Sequence, residues 1–354
     1  MIAARRSLLT CIICAAALAV LGLLGCPAGA QQSESWERCA GRLGPNWDQR
    51  ADACSAIIDS NSETRENLAR AYGYRGIAYD NKGDRDHAMR DYDEAVRLDP
   101  SSGSGHRFRG NAYKLQKDYD RAIAEYNEAI GLDPRDALSV SNRGVSYYGK
   151  QDYDHAVADY SEAIRLVPDY TLAFYDRGLV YIAKGDMDHA IADFDQAIRL
   201  EPKFAFAFTA RAGAYAKKKE FDRAIADYTE ALSIEPAGRM VAPALSGRCW
   251  ARFVVGHDLQ DALSDCAKAL NLNPNDAWAL NTRGFTYLKL GEAVRAIADL
   301  DAALTINSKM AISFYGRGLA KRRAGDGPAG DKDIEAARTI QPNIAEAATI
   351  YGVH

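Results

Sequence analysis

The chain has 354 residues, and 44 basic against 48 acidic side chains give a net charge of −4. No basic block stands out along the sequence, so its charge argues against a nucleic-acid-binding protein. The length alone predicts two domains, but a regular internal repetition excludes a single closed globule and predicts stacked units of secondary structure.

Residues 1–30 have the pattern of a signal peptide. Two arginines precede a long apolar run without charges, and an A-x-A-like cleavage sequence ends at Ala30. We therefore expect an exported protein, periplasmic or secreted, with no membrane span after cleavage. The alternatives are an uncleaved membrane anchor, a lipoprotein attached through Cys26 and a twin-arginine signal.

Residues 31–68 predict an N-terminal capping helix pair, and repeats 1 to 5 follow over residues 69–236. A proline lies near the end of each of these repeats, 34 residues after the proline of the preceding repeat, and we number it position 32. The prolines are Pro100, Pro134, Pro168, Pro202 and Pro236.

Each repeat carries small residues at positions 8, 20 and 27 and aromatic residues at positions 11 and 24. In repeat 4 these are Gly178, Ala190, Ala197, Tyr181 and Phe194. Positions 8 and 11 share one helical stripe, and positions 20, 24 and 27 share another. The pattern predicts two helices in close contact, with aromatic rings filling the space between them.

Residues 237–242 contain an insertion, after which repeats 6 to 8 occupy residues 243–344. Repeat 6 departs from the pattern, with Trp250 at position 8 and Cys266 at position 24, and repeat 8 departs at positions 11 and 20. Residues 343–354 continue with helical spacing. They predict a C-terminal capping helix, which a stack of repeats needs to cover its last apolar face.

This pattern resembles the tetratricopeptide repeat (TPR) family, whose signature is a small residue at 8, aromatics at 11 and 24, alanine at 20 and 27, and proline at 32. The resemblance covers about residues 69–344. It implies an all-α fold, an α-solenoid of about eight helix-turn-helix repeats wound into a right-handed superhelix. Its concave face is expected to bind peptides or protein segments.

Two columns of opposite charge run through the repeats. Position 7 is arginine in every repeat but the sixth, and position 23 is acidic in all of them. The columns predict either an arginine-lined binding track or ion pairs that set the register between helices, and we favour the ion pairs. Repeat 6 carries Cys249 at position 7, so we expect its ion pair to be missing.

Four cysteines lie beyond the signal segment, and an even number in an oxidising compartment predicts two disulfides. Cys249 and Cys266 occupy positions 7 and 24 on the two helices of repeat 6, and Cys39 and Cys54 have a similar spacing. We predict the pairs Cys39–Cys54 and Cys249–Cys266, the second in place of the missing ion pair. No Cys-x-x-Cys motif or cluster of zinc ligands favours redox chemistry or metal binding.

No catalytic motif stands out in the sequence. It lacks Gly-x-Ser-x-Gly, a phosphate-binding loop and His-Glu-x-x-His. Three of the histidines, His87, His155 and His189, share position 19 and are expected on the surface. The sequence therefore predicts a protein that is not an enzyme and has no catalytic residues, cofactor or metal.

The resemblance places the partner on first-helix positions 2, 5, 9 and 12. These positions are apolar or aromatic in several of repeats 4 to 8, which is the expected form of a peptide groove, although packing between repeats would also explain them. The apolar candidates are Leu172, Tyr175, Leu179, Phe206, Trp278, Phe285 and Tyr315.

The earlier repeats offer polar candidates instead. Arg107, Asn111 and Asn142 begin like a clamp for a C-terminal carboxylate, but Leu172 and Asp176 stand where that clamp needs basic residues. We therefore do not favour a carboxylate clamp here.

These observations predict a non-catalytic interaction scaffold of the cell envelope that binds a peptide or protein segment in its groove. One alternative is a glycan or small-ligand receptor, or an accessory subunit of an envelope enzyme or assembly machine. Another is a homo-oligomer that assembles through the same aromatic stripe.

Overall fold

The computed structural model describes residues 28–44, 46–256 and 258–352, and every regular element within these ranges is a helix. The predicted all-α class is therefore confirmed. Almost all of the predicted signal segment 1–30, including Cys26, lies outside the described residues.

The chain divides into two compact units, with the boundary between Ser139 and Val140. In the first unit a helix pair precedes the regular repeats, and the helices then continue in pairs. The helices of this unit are α1 (Ala28–Cys39), α2 (Trp47–Asp59), α3 (Arg65–Lys82), α4 (Arg85–Leu98), α5 (Gly103–Leu115) and α6 (Tyr119–Leu132).

Helix α7 (Ala137–Gly149) begins at the end of the first unit and continues into the second. In the second unit each repeat is a helix pair, and neighbouring pairs pack on one another. Its further helices are α8 (Tyr153–Leu166), α9 (Thr171–Lys184), α10 (Met187–Leu200), α11 (Ala205–Lys217), α12 (Phe221–Ile234), α13 (Val241–Val255), α14 (Leu259–Leu272), α15 (Ala277–Lys289), α16 (Ala293–Ile306), α17 (Ala311–Arg323), α18 (Gly327–Ile340) and the short α19 (Ile344–Ala347).

Local sequence signals set the helix ends. In repeat 4, Gly185 ends α9 in the left-handed conformation, with φ of 80°, which costs glycine little because it has no Cβ. Asp186 then caps α10, because its carboxylate accepts a hydrogen bond from the backbone N–H of His189. The proline at position 32 cannot extend the second helix, and α10 ends two residues before Pro202.

The two helices of a repeat meet where the sequence places small residues opposite aromatic ones. A Cβ atom built on Gly178 would lie 2.6 Å from the ring of Phe194, and one on Gly76 would lie 2.5 Å from the ring of Tyr92. Ala190 and Ala197 are fully buried beside Phe194. Position 8 therefore has to be glycine in these repeats, because the facing ring leaves no room for a side chain.

The charge columns form the ion pairs that the sequence favoured over a binding track. In repeats 1, 3, 4, 5, 7 and 8 the arginine donates two hydrogen bonds of 2.7–2.9 Å to the facing aspartate. The aspartates of these pairs are only 5–7% exposed. Repeat 2 uses a glutamate instead, and Arg109 lies 2.8 Å from Glu125. These arginines are thus occupied within their own repeats.

Repeat 6 contradicts the prediction of a missing ion pair. Arg248, one residue before the usual position, donates hydrogen bonds of 2.8 and 2.7 Å to Asp265, and Arg252 donates a third of 2.7 Å. The disulfide Cys249–Cys266 is present in the same repeat. The prediction was wrong because an arginine side chain is long enough to reach the carboxylate from the neighbouring helix position, so the repeat has both links.

The C-terminal segment differs from the continuous helix expected over residues 343–354. Helix α19 has four residues and is followed by a 3-10 turn, Ala348–Tyr351, which ends at Gly352 in the left-handed conformation. The side chain of Tyr351 is buried in the hydrophobic core of repeats 6 to 8.

Candidate functional site

Trp278 is the second residue of the first helix of repeat 7 and is 60% exposed, an unusual degree for so large an apolar side chain. Asp276 caps this helix, α15, by accepting hydrogen bonds of 3.0 Å from the backbone N–H groups of Trp278 and Ala279. The same carboxylate accepts a hydrogen bond of 2.8 Å from Ser246 on α13. The indole ring is therefore exposed on a backbone that two helices hold in place.

Two clefts flank Trp278. The first, which we call the Trp250 cleft, has a volume of about 650 Å³, and the second, the Ile340 cleft, has a volume of about 560 Å³. The Trp250 cleft is lined by Ala242, Pro243, Ser246, Gly247, Trp250, Asn273, Asp276, Trp278, Thr282 and Tyr351. The Ile340 cleft is lined by Trp278, Asn307, Lys309, Met310, Ala311, Ile312, Ile340, Gln341, Ile344, Ala347 and Tyr351.

Tyr351 lines both clefts and fills an aromatic site on repeats 6 and 7. Its ring centroid lies 4.4 Å from that of Phe285 and 5.6 Å from that of Phe253. Burial raises the pKa of the Tyr351 phenol, and the nearby polar groups of Asn281 and Trp250 oppose that rise. We call the site formed by Trp250, Phe253, Asn281 and Phe285 the Tyr351 socket.

Asn281 is the polar residue at the base of this socket and is fully buried. Its Oδ1 atom accepts a hydrogen bond of 2.8 Å from Ser313 on α17. Its Nδ2 group is buried and has no hydrogen-bond partner among the described residues. Buried amide groups are nearly always hydrogen-bonded. This unpaired donor is therefore available to a hydroxyl oxygen in the socket.

The prediction that Phe285 lines an open groove was wrong. Its side chain is fully buried, with Phe253 at 6.4 Å and Tyr351 on one side and the backbone of Gly316 close on another. The ring belongs to the core of repeats 6 to 8, and the C-terminal segment covers part of it. Tyr315 is half-buried and packs against the core of repeats 7 and 8 and α19.

Repeats 4 and 5 bring Tyr175 and Phe206 together. Tyr175 meets Phe206 edge-on at 6.5 Å and Phe204 at 5.1 Å, and the Arg239 guanidinium lies 5.5 Å above the Phe206 ring. Both aromatic side chains are half-buried, as is Leu179, whereas Leu172 is exposed. Packing between repeats thus uses much of this stripe, and Leu172 is its open part.

The polar candidates of repeats 2 and 3 have partners within the chain. Arg107 forms an ion pair with Asp136, and the Asn111 side-chain oxygen accepts a hydrogen bond of 2.7 Å from the Tyr126 hydroxyl. Asn142, in the second unit, is half-buried. Arg107 is therefore already neutralised, which agrees with the sequence-based view that no carboxylate clamp forms.

Sequence reasoning missed Tyr351 and Trp250 as site residues. Trp250 does carry a signal, because a tryptophan at position 8 cannot fit where the other repeats place a small residue. Tyr351 lies far along the chain from the helices it contacts, and only its helical spacing in the predicted cap marked it as a packing residue.

Metal binding and membrane insertion find no support in residues 28–44, 46–256 and 258–352. No group of three or more His, Cys, Asp or Glu side chains in these ranges could hold a metal ion. None of the helices described there is both long enough and apolar enough to cross a membrane.

Comparison with known families identifies the repeats. Models of the tetratricopeptide repeat match residues 69–102, 110–151, 144–185, 171–204, 207–237 and 266–298. The chain therefore belongs to the tetratricopeptide repeat family. Proteins of this family generally act as protein–protein interaction scaffolds, so the class of the molecule is that of an interaction scaffold.

Several solved structures share the fold. PilF of Pseudomonas aeruginosa is 24% identical with a TM-score of 0.55, covering 61% of this chain and 96% of that one. A TPR protein of Parabacteroides merdae is 21% identical with a TM-score of 0.53, covering 71% and 98%. The Cut9–Hcn1 hetero-tetramer of APC/C is 15% identical with a TM-score of 0.55, covering 91% and 66%. No curated protein matches the chain.

Proposed function

We propose that the chain is a non-catalytic scaffold that binds a segment of a partner protein on the face of repeats 6 to 8 around Trp278. The observation that carries this proposal is the exposed indole between two clefts. Tryptophan is enriched among the residues that dominate binding energy at interfaces. A fixed, exposed tryptophan that lines two clefts is therefore suited to hold a partner segment.

The geometry favours an extended or short helical segment over a flat protein surface. Each cleft has a volume within the range of about 300–1,000 Å³ that binding pockets usually have, so each can hold one or two side chains. Trp278 lines both clefts. A segment crossing Trp278 would place side chains in both of them.

The cell envelope or the outside of the cell is the compartment we propose. The sequence of residues 1–30 has the pattern of a signal peptide. The structure also contains the disulfides Cys39–Cys54 and Cys249–Cys266, and disulfides persist mainly in oxidising compartments. A lipid anchor through Cys26 is the alternative mode of attachment.

A glycan is the second candidate ligand. Polar side chains of Ser246, Asp276 and Thr282 line the Trp250 cleft beside two indole rings. Indole rings that stack on a sugar, with hydroxyl and carboxylate groups nearby to accept its hydrogen bonds, would suit a carbohydrate.

Panning a random peptide display library on the full chain tests the proposal. Selected peptides should lose at least tenfold in affinity for Trp278→Ala, which corresponds to about 1.4 kcal/mol. Val294→Ala is the matched control, because Val294 is 77% exposed on the second helix of the same repeat.

The affinities are read by fluorescence anisotropy, with far-UV circular dichroism to check the fold of each variant. Equal binding by wild type and Trp278→Ala would refute the proposed site. Binding of glycans alone on an array would favour the second candidate.

A further inference from the structure

The chain's own C-terminal segment lies where the proposed partner should bind. The 3-10 turn Ala348–Tyr351 packs against α13, and α19 packs against α17. Asn281 and Phe285, at positions 5 and 9 of repeat 7, face Tyr351. By the TPR resemblance these positions belong to the ligand-binding face, so this segment occupies part of it.

The buried residues of this segment describe what the site accepts. Ile344, Ala348 and Tyr351 are buried, at spacings of four and three residues, while Glu346 and Ala347 between them are exposed. The spacing places the three side chains on one helical face. The site thus holds an apolar residue, a small residue and a tyrosine along two consecutive short helical turns.

The socket presents both apolar and polar groups to the tyrosine. Phe253 and Phe285 provide apolar walls, whereas the polar groups of Asn281 and Trp250 oppose the rise in the pKa of the hydroxyl group. The Asn281 Nδ2 group is buried and lacks a well-formed hydrogen bond to Tyr351. The hydroxyl group of Tyr351 therefore leaves the Asn281 amide donor without a hydrogen bond. A hydroxyl group in a better position would accept that hydrogen bond.

The secondary structure of the C-terminal segment is short and uncapped. Helix α19 and the following 3-10 turn have four residues each, and neither has a side-chain N-cap hydrogen bond. Runs of 3-10 helix have poorer hydrogen-bond geometry than α-helix. Releasing the segment would therefore not require any of the long helices to unfold.

We propose that Tyr351 is an exchangeable occupant of this socket, and that the partner segment carries a tyrosine that replaces it. This inference rests on the proposed function, and it identifies the partner's chemistry as an apolar residue, a small residue and a tyrosine at the spacing of the resident segment. Tyr351 competes with the partner for the socket, and the partner binds only those molecules in which the socket is open. The apparent affinity for the partner is therefore the intrinsic affinity multiplied by the fraction of molecules with an open socket. Removing the resident ring should therefore raise the affinity.

The test uses the full chain and a fluorescein-labelled peptide with the sequence of residues 344–352. Tyr351→Ala should bind this peptide at least tenfold more tightly than wild type does, measured by anisotropy. The same peptide with alanine in place of its tyrosine should bind neither protein. Tyr148→Ala is the matched control, since Tyr148 is an exposed tyrosine of repeat 3, and it should behave like wild type.

A second measurement covers the case in which Tyr351→Ala does not fold. Saturating the wild-type chain with unlabelled peptide should increase hydrogen exchange of the amides in residues 344–352, because the resident segment is displaced. The alanine peptide should leave that exchange unchanged. An unchanged exchange rate with the tyrosine peptide would overturn the inference.

Two further outcomes would also overturn it. If library peptides bind through Trp278 with the same affinity in wild type and Tyr351→Ala, the proposed function stands and the exchangeable occupant does not exist. If wild type sediments as a dimer that Tyr351→Ala converts to a monomer, the occupant is the segment of a second copy and no partner tyrosine is required.

Discussion

Repeats 4 and 6 join their two helices by different means. In repeat 4 one arginine, Arg177, pairs with Asp193, and no covalent link is present. In repeat 6 both Arg248 and Arg252 donate to Asp265, beside the disulfide Cys249–Cys266. The carboxylate position is common to both repeats, while the arginine position and the other links vary, so the buried carboxylate is the fixed part of the pairing.

Asp265→Ala should cause the largest loss of stability among these changes. Asp265 is 2% exposed, and its removal leaves two mostly buried guanidinium groups without their shared carboxylate. Breaking a buried ion pair by removing one partner costs about 3–5 kcal/mol. Urea unfolding followed by far-UV circular dichroism measures the change in the free energy of unfolding.

The matched variant for this prediction is Asp193→Ala in repeat 4. It leaves one arginine unpaired, and Arg177 keeps a hydrogen bond of 2.8 Å to Ser161. We expect a smaller loss than for Asp265→Ala. An equal or larger loss in repeat 4 would show that the second arginine of repeat 6 adds nothing.

Removing the disulfide of repeat 6 should have the next largest effect. Cys249 and Cys266 are separated by 17 residues, and a cross-link that closes a loop of that size stabilises by about 3 kcal/mol in the chain-entropy model. The double variant Cys249→Ala, Cys266→Ala should lower the urea midpoint. It should keep its helix content, because the ion pairs of Asp265 remain; a midpoint equal to that of wild type would contradict this expectation.

Gly178→Ala tests the close helix contact of repeat 4. The new Cβ would lie 2.6 Å from the Phe194 ring, and such overpacking typically costs about 1–3 kcal/mol. Gly213→Ala is the control, because its Cβ would come no closer than 3.9 Å to the Tyr228 hydroxyl. That variant should be neutral or slightly stabilising, and destabilisation of both variants by the same amount would rule out the steric explanation. Thermal melts of the two variants make the comparison.

We expect the smallest effect on stability at the N-caps of the second helices, and this effect depends on pH. The backbone N–H and the imidazole of His189 donate to Asp186 and hold the pKa of that carboxyl below its usual range. Because the pKa is lower in the folded state, the stabilisation is present above the ordinary value of about 3.9 and is lost as the pH falls through the folded pKa.

Asp186→Asn should keep the cap and weaken the acid dependence of stability, because asparagine caps helices but does not titrate. Asp258 of repeat 6 makes no side-chain cap hydrogen bond, so Asp258→Asn should not alter that dependence. Urea midpoints measured from pH 5 down to pH 2.5 compare the variants. If Asp186→Asn and Asp258→Asn changed the acid dependence of the urea midpoint by the same amount, the role assigned to the Asp186 cap would be wrong.

Much of the fold could be predicted from the sequence because its signals are local or repeat at a fixed interval. Small residues at position 8 and aromatics at position 24 predicted the helix pairs, and charges at positions 7 and 23 predicted the ion pairs. Repeat 6 was the exception, because a position count cannot show that Arg248 reaches Asp265 from the neighbouring residue.

The site could be predicted only in part. Trp278 is exposed, and its place in a binding groove stays a prediction. Phe285 is buried by Gly316 of the next repeat and by Tyr351, which lies 66 positions further along the chain. Contact between segments so far apart leaves no periodic signal, so neither the burial of Phe285 nor the role of Tyr351 was predicted.

The sequence by itself determined the all-α class, the repeat boundaries and the facing columns of charge, because helix periodicity and caps act over a few residues and then recur. Only the tertiary structure decided which aromatic side chains remain open and which are covered. Burial depends on whatever packs against a side chain, and at the socket that neighbour is the segment carrying Tyr351, which comes from outside the repeat pattern.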